Sequence, residues 1–140
     1  MLTPRDAAPK HLRVATSASA ADAAPGAKVS LFVDVTPAPG IHVYAPGAKD
    51  FLPIAVALDP ATDATIGKTV YPKSETITFD DDRVPVFQKV FRLTAPLSIA
   101  SLARRGTTIT ISGKVNYQAC DDAVCFIPAS VPVRWTIAVK

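Results

Sequence analysis

Apolar and polar residues alternate through most of the chain, the pattern that predicts β-strands with one buried face. In the segment 28–35, KVSLFVDV, every second residue is valine or leucine. Residues 107–117 are rich in β-branched side chains, and residues 131–139 place Trp135 in the core as part of a last strand. Further strands are expected at residues 11–18, 41–44, 51–58, 65–71, 75–79 and 86–93, and the last of these is expected to be a central strand. Residues 97–104 are expected to form a single helical turn.

Turn residues separate these segments at short intervals. The chain contains 13 prolines, which stand beside glycines and between apolar runs, as in Pro25-Gly26 and Pro46-Gly47. About eight or nine short strands, with no helical segment of any length, predict an all-β protein. We therefore expect a β-sandwich of antiparallel strands, with a small barrel as the alternative.

Length and composition limit the function classes. With 140 residues, 49% of them hydrophobic, the chain suits one globular domain over residues 11–140, preceded by a flexible lead-in over residues 1–10. The net charge of +3 is scattered, and no basic stripe with interleaved aromatics is present, which argues against nucleic-acid binding. No apolar run could span a membrane, so no membrane contact is expected. No apolar segment follows residues 1–5 as a signal peptide would require, so the cysteines must indicate the compartment.

The two cysteines, Cys120 and Cys125, have four residues between them and fall between the last two long strands. A hairpin connection there would bring them within disulfide reach. Three interpretations remain open. A structural disulfide closing so small a ring contributes only about 2 kcal/mol. A zinc site needs four ligands, and His42 could add only one. A redox pair that opens and closes is the third, because local, solvent-near disulfides are the labile ones.

The segment around the cysteines resembles a known family. Residues 117–128, YQACDDAVCFIP, are similar to the cysteine hairpin of the DsbD amino-terminal domain, part of a bacterial thiol:disulfide interchange protein. Residues 40–46, GIHVYAP, resemble the HVY strand of that family, and Tyr71-Pro72 with residues 79–93 resemble its middle section. The resemblance covers roughly residues 11–139.

This resemblance implies an immunoglobulin-like β-sandwich in the periplasm that acts as a protein-disulfide reductase. Such a domain uses no bound cofactor or metal ion. It would receive electrons from a thioredoxin-like donor domain and pass them to oxidised periplasmic proteins through Cys120 and Cys125, the catalytic residues. The rival interpretation is a non-catalytic immunoglobulin-like binding or accessory module in which the disulfide is structural.

The resemblance also assigns residues around the disulfide. Family members cover it with a cap loop, which aligns with residues 82–87, so Asp82, Val84 and Phe87 are expected to shield it. Tyr44 is expected to pack on the disulfide. His42 lies two residues earlier, on the same strand face, and is a candidate proton-handling group. The acidic run 80–82 is otherwise expected to be a solvated loop.

The sequence next to each cysteine predicts that the two sulfurs differ. Asp121 and Asp122 follow Cys120 directly, and their negative charge should raise the pKa of that thiol and repel an attacking thiolate. Cys125 leads instead into the apolar segment that begins with Phe126, on which a partner could dock. Together with the behaviour of the family, this predicts that partners capture Cys125.

Overall fold

The computed structural model describes residues 11–79 and 81–140, and every regular element in that part of the chain is a β-strand. The expected lead-in over residues 1–10 lies outside the described residues, as does Asp80. The strands are β1 (Leu12–Ala18), β2 (Asp22–Ala23), β3 (Lys28–Pro37), β4 (His42–Tyr44), β5 (Ala55–Leu58), β6 (Ala64–Ile66), β7 (Glu75–Phe79), β8 (Asp82–Phe87), β9 (Phe91–Ile99), β10 (Thr108–Tyr117), β11 (Ala119–Cys120) and β12 (Ala129–Val139).

The strands form two larger sheets that enclose the core and a third sheet beside them. The orders are β1-β3-β9-β6, β2-β12-β10-β5 and β11-β4-β8-β7. All pairings are antiparallel except that of β2 with β12. The apolar positions of β3 are buried in strict alternation, and Trp135 is buried in the core and donates a hydrogen bond to the carbonyl of Ser17 at 2.8 Å. The predicted all-β sandwich is confirmed.

Two expected elements are wrong. The segment 86–93 is not one central strand: the chain leaves β8 after Phe87, turns through three exposed residues and enters β9 at Phe91. The Phe87 and Phe91 rings stack at 4.1 Å, so both apolar ends stay in the core while the chain reverses between them. The segment 97–104 forms no helical turn, because its first three residues continue β9 in register with β3 and β6.

The connection between β10 and β12 carries both cysteines, as predicted. After Tyr117 the chain leaves the sandwich, and β11 pairs with β4, placing Cys120 opposite His42. It then turns back and enters β12 at Ala129. The third sheet therefore brings the cysteine hairpin against the buried HVY strand and the β7–β8 hairpin.

Candidate functional site

Cys120 and Cys125 form a disulfide, with their Cα atoms 4.0 Å apart. The tight turn between them is built by Asp121. Its carboxylate accepts hydrogen bonds from the backbone N–H groups of Val124 at 2.7 Å and Ala123 at 2.8 Å. These donors hold the pKa of the Asp121 carboxyl below its ordinary value. Asp121 is therefore the residue that shapes the connection, in addition to being a charge beside Cys120.

The two sulfur-bearing residues have opposite environments. Cys120 is 0% exposed and lies in a small apolar cluster with Tyr44, Val84 and Val86. Cys125 is exposed. An incoming thiolate must approach the sulfur that it attacks, so the geometry favours attack on Cys125 with Cys120 as the leaving group.

A chain of hydrogen bonds ends on the buried sulfur. The Tyr44 hydroxyl donates to Cys120 Sγ at 3.0 Å and lies 3.7 Å from Cys125 Sγ. His42 Nε2 lies 3.0 Å from the same hydroxyl. Burial raises the pKa of Tyr44 to about 12, so this hydroxyl keeps its proton at neutral pH. Tyr44 thus packs on the disulfide and also supplies a hydrogen-bond donor to it.

Two aromatic residues that sequence reasoning missed complete the surroundings of Tyr44 and His42. The Phe51 ring stacks on Tyr44 with centroids 4.2 Å apart. Phe79 meets the ring of Phe51 at 5.8 Å and that of His42 at 5.4 Å, both edge to face. Phe51 comes from the loop after β4 and Phe79 from the end of β7, so neither is close to the cysteines in sequence.

Gln118 holds the Phe51 loop to the cysteine hairpin. Its side-chain oxygen accepts a hydrogen bond from the backbone N–H of Leu52 at 3.1 Å, and its amide nitrogen donates to the carbonyl of Phe126 at 3.4 Å. This explains why a glutamine precedes the buried Ala119-Cys120 pair. It was the available signal that a second loop lies against the hairpin.

The remaining residues expected to shield the disulfide lie in different places. Val84 is buried in the cluster that contains Cys120. Phe87, on the other face of β8, packs in the main core. Asp82 is the exposed first residue of β8. Phe126 is partly buried, and its ring stacks on His11 at 3.9 Å.

An open cavity adjoins the exposed sulfur. It has a volume of about 660 Å³, and its walls come from β7, the Phe51 loop and the cysteine turn. Its lining includes Phe51, Ile77, Phe79, Asp122 and Cys125. The cavity gives a partner access to Cys125 across a partly apolar surface.

The surroundings of His42 predict a pH dependence of stability. His42 is 2% exposed, and burial lowers its pKa, against the opposing charges of Asp122 and Asp121. The unfolded chain therefore binds a proton at a higher pH, near 6.5, than the folded chain does, so stability is lost as the pH falls below about 6.5. Urea unfolding between about pH 7 and pH 5 should show a shallower loss in the His42→Gln variant.

The matched control for this titration is His11→Gln, which removes the chain's other histidine and leaves His42 in place. Equal slopes for wild type and His42→Gln would show that His42 does not cause the pH dependence.

Over residues 11–79 and 81–140, no three His, Cys, Asp or Glu side chains converge as metal ligands. The same residues contain no helix long and apolar enough to cross a bilayer.

Two solved structures share this fold. The N-terminal periplasmic domain of ScsB from Proteus mirabilis superposes with a TM-score of 0.61 at 15% identity, covering 96% of this chain and 49% of that one. This chain therefore spans about half the length of the ScsB domain. The reduced DsbD N-terminal domain of Neisseria meningitidis superposes with a TM-score of 0.56 at 20% identity, covering 96% and 98%. At these identities the likeness concerns the fold, and it confirms the predicted immunoglobulin-like architecture.

Sequence comparison identifies the family. None of the curated protein sequences matches the chain significantly. A family model, described as the N-terminal part of the thiol:disulfide interchange protein DsbD, matches residues 10–134. Because that match spans nearly the whole chain, and the Cys120–Cys125 pair lies within it, the chain belongs to the family of DsbD N-terminal domains.

Proposed function

We propose that this domain is a periplasmic protein-disulfide reductase module. It takes electrons from a thioredoxin-like donor domain and passes them to oxidised periplasmic proteins through Cys120 and Cys125. The observation that carries the proposal is the asymmetry of the disulfide: an exposed Cys125 is bonded to a fully buried, hydrogen-bonded Cys120. The periplasmic location is supported by the ScsB relative, which is described as a periplasmic domain.

The reaction runs in two exchanges. In the first, a donor thiolate bonds to Cys125 Sγ while the Cys125–Cys120 bond breaks, and the electron pair leaves on Cys120 Sγ. The second thiolate of the donor then attacks the donor sulfur that is bonded to Cys125 Sγ. This step releases reduced Cys125 and leaves the donor with a disulfide of its own. In the second exchange the Cys125 thiolate attacks an oxidised partner, and Cys120 resolves that mixed disulfide.

The residues around the pair have separate parts in this proposal. Tyr44, His42 and Val84 cover the buried side of the disulfide, so that only Cys125 is open to a partner. Phe87 supports β8 from the core, and Asp82 lies beside a second surface cavity next to Phe51. Phe126, stacked on His11, supports the apolar segment after Cys125.

The rival function, a binding module with an inert bridge, predicts a different redox potential. We expect the isolated protein to be oxidised in air and to have a reduction potential above about −300 mV, because structural disulfides lie below that value. Equilibration with dithiol buffers, followed by alkylation and mass spectrometry, measures this potential.

The domain has its own core, and the ring is small, so replacing both cysteines with serine should cost no more than about 2 kcal/mol of stability.

A potential well below this limit would support the binding module with its inert bridge, whereas two free thiols in air-exposed protein would contradict both functions. The double serine variant serves as the unreactive control in both measurements.

A further inference from the structure

The buried hydroxyl of Tyr44 has one proton and three polar neighbours, of which the two disulfide sulfurs carry no hydrogen and can only accept. That proton is donated to Cys120 Sγ at 3.0 Å. The contact with His42 Nε2, also 3.0 Å, must then run the other way, because a hydroxyl with its proton already engaged can only accept. In this arrangement His42 is the tautomer with its proton on Nε2, and the order of donation is His42 to Tyr44 to Cys120.

We propose that His42 is a positioning residue for thiol–disulfide exchange. It holds the Tyr44 hydroxyl as a donor to Cys120 Sγ and so stabilises the thiolate that leaves when a partner attacks Cys125. This inference rests on the proposed function and adds to it the group that stabilises the leaving sulfur.

The electron and proton balance of disulfide opening is consistent with this role of His42. The attacking thiolate bonds to Cys125 Sγ, the disulfide breaks, and the negative charge arrives on Cys120 Sγ without transfer of any proton. The new thiolate lies in a site with 0% exposure, where water cannot solvate it, so protein donors must. Tyr44 is the donor in contact, and it remains protonated because burial raises its pKa to about 12.

The other groups facing Cys120 do not supply this stabilisation. β8 contributes the apolar Val84 and Val86. The cysteine turn contributes Asp121 and Asp122, whose negative charges oppose a thiolate. The hydrogen bond from the His42–Tyr44 chain therefore favours the Cys120 thiolate, whereas burial and the two carboxylates disfavour it. Since a thiol with a lower pKa leaves faster, weakening the chain should slow the opening of the disulfide.

The test measures the pKa of the Cys120 thiol in a Cys125→Ser background, from the pH dependence of the Cys120 Cβ chemical shift. Tyr44→Phe should raise the thiol pKa by about 1 unit, as expected for loss of one hydrogen bond to a charged group. His42→Leu should raise it by about half a unit through the weakened hydroxyl. His42→Gln places an amide N–H near the position of Nε2 and should return the pKa towards its original value.

A second measurement needs no His42 variant and therefore does not depend on how such variants fold. Nitrogen chemical shifts of the His42 ring in the oxidised protein should show a proton on Nε2 at neutral pH, with a shift change in Tyr44→Phe. A bare Nε2, or a Cys120 pKa unaffected by His42→Leu in a folded protein, would overturn the inference.

Failure of this inference is distinguishable from failure of the proposed function. The thiol pKa and the histidine tautomer are measured without a partner. If they behave as expected and no thioredoxin-like domain exchanges with Cys125, the proposed function is wrong and the hydrogen-bond chain stands. If exchange is efficient and the pKa of the Cys120 thiol does not change, the proposed function stands and the role of His42 is wrong.

Discussion

Cys120→Ser is expected to accumulate a stable mixed disulfide with a thioredoxin-like domain, whereas Cys125→Ser should accumulate almost none. Cys125 is exposed beside an open cavity, and Cys120 is fully buried behind Tyr44 and Val84. A protein partner whose own sulfur lies on a surface cannot reach the buried position without disrupting the site. Without Cys120 as the resolving thiol, the bond between Cys125 and its partner persists.

The experiment uses a thioredoxin-like domain whose resolving cysteine has been replaced by serine. The single free cysteine of each variant is first activated as a mixed disulfide with an aromatic thiol, so that attack by the partner releases that thiol as the leaving group. Non-reducing gel electrophoresis and mass spectrometry then quantify the covalent complex. The variant lacking both cysteines is the control. Efficient trapping by Cys125→Ser together with none by Cys120→Ser would reverse the assignment.

Alkylation of the reduced wild-type protein probes the same asymmetry without a partner. Asp121 and Asp122 lie beside Cys120, and we expect both thiols to be slow nucleophiles near neutral pH, with Cys125 labelled first because it alone is exposed. Fast labelling of Cys120 by iodoacetamide would contradict the structural asymmetry.

Sequence pattern predicted the fold best where the two faces of a strand have different surroundings. Strands β3 and β12 alternate strictly, and β10 alternates except at Ser112-Gly113, because one face meets the core and the other is more exposed. The pattern failed at residues 86–93, where Phe87 and Phe91 both point into the core from two different strands. A continuous apolar run and a turn between two buried ends cannot be told apart by periodicity alone.

The site was predictable in part, because the cysteines and the HVY strand are local motifs. Their contact, Cys120 opposite His42, depends on pairing between β4 and β11, which are more than seventy residues apart in sequence. The contributions of Phe51 and Phe79 come from separate loops and strands and have no local signature. The one sequence signal of a further loop was Gln118, a polar residue directly before the buried Ala119-Cys120 pair.

Replacing Val124 and Ile127 together with serine is expected to slow exchange with a thioredoxin-like domain by about tenfold or more. These side chains flank Cys125 and are 51% and 88% exposed, although both are apolar. Apolar side chains beside a reactive sulfur can bind a partner that buries them, at about 1.5–3 kcal/mol for each one fully buried. Because neither contributes to the core, the substitution should leave the unfolding free energy nearly unchanged.

The matched control is Leu102→Ser, since Leu102 is 91% exposed on the turn after β9, outside the third sheet. It should exchange with the partner at the wild-type rate. Reduction by a small dithiol supplies the second comparison, because a small molecule needs no docking surface and should react equally with all three proteins. Stopped-flow measurement of both reactions separates a loss of partner docking from a change in the reactivity of the disulfide.

If the Val124 and Ile127 substitutions slow the small dithiol as much as the protein partner, these residues affect the disulfide itself. If they slow neither, partners dock elsewhere around Cys125, and the cavity wall formed by Phe51, Ile77 and Phe79 becomes the surface to test.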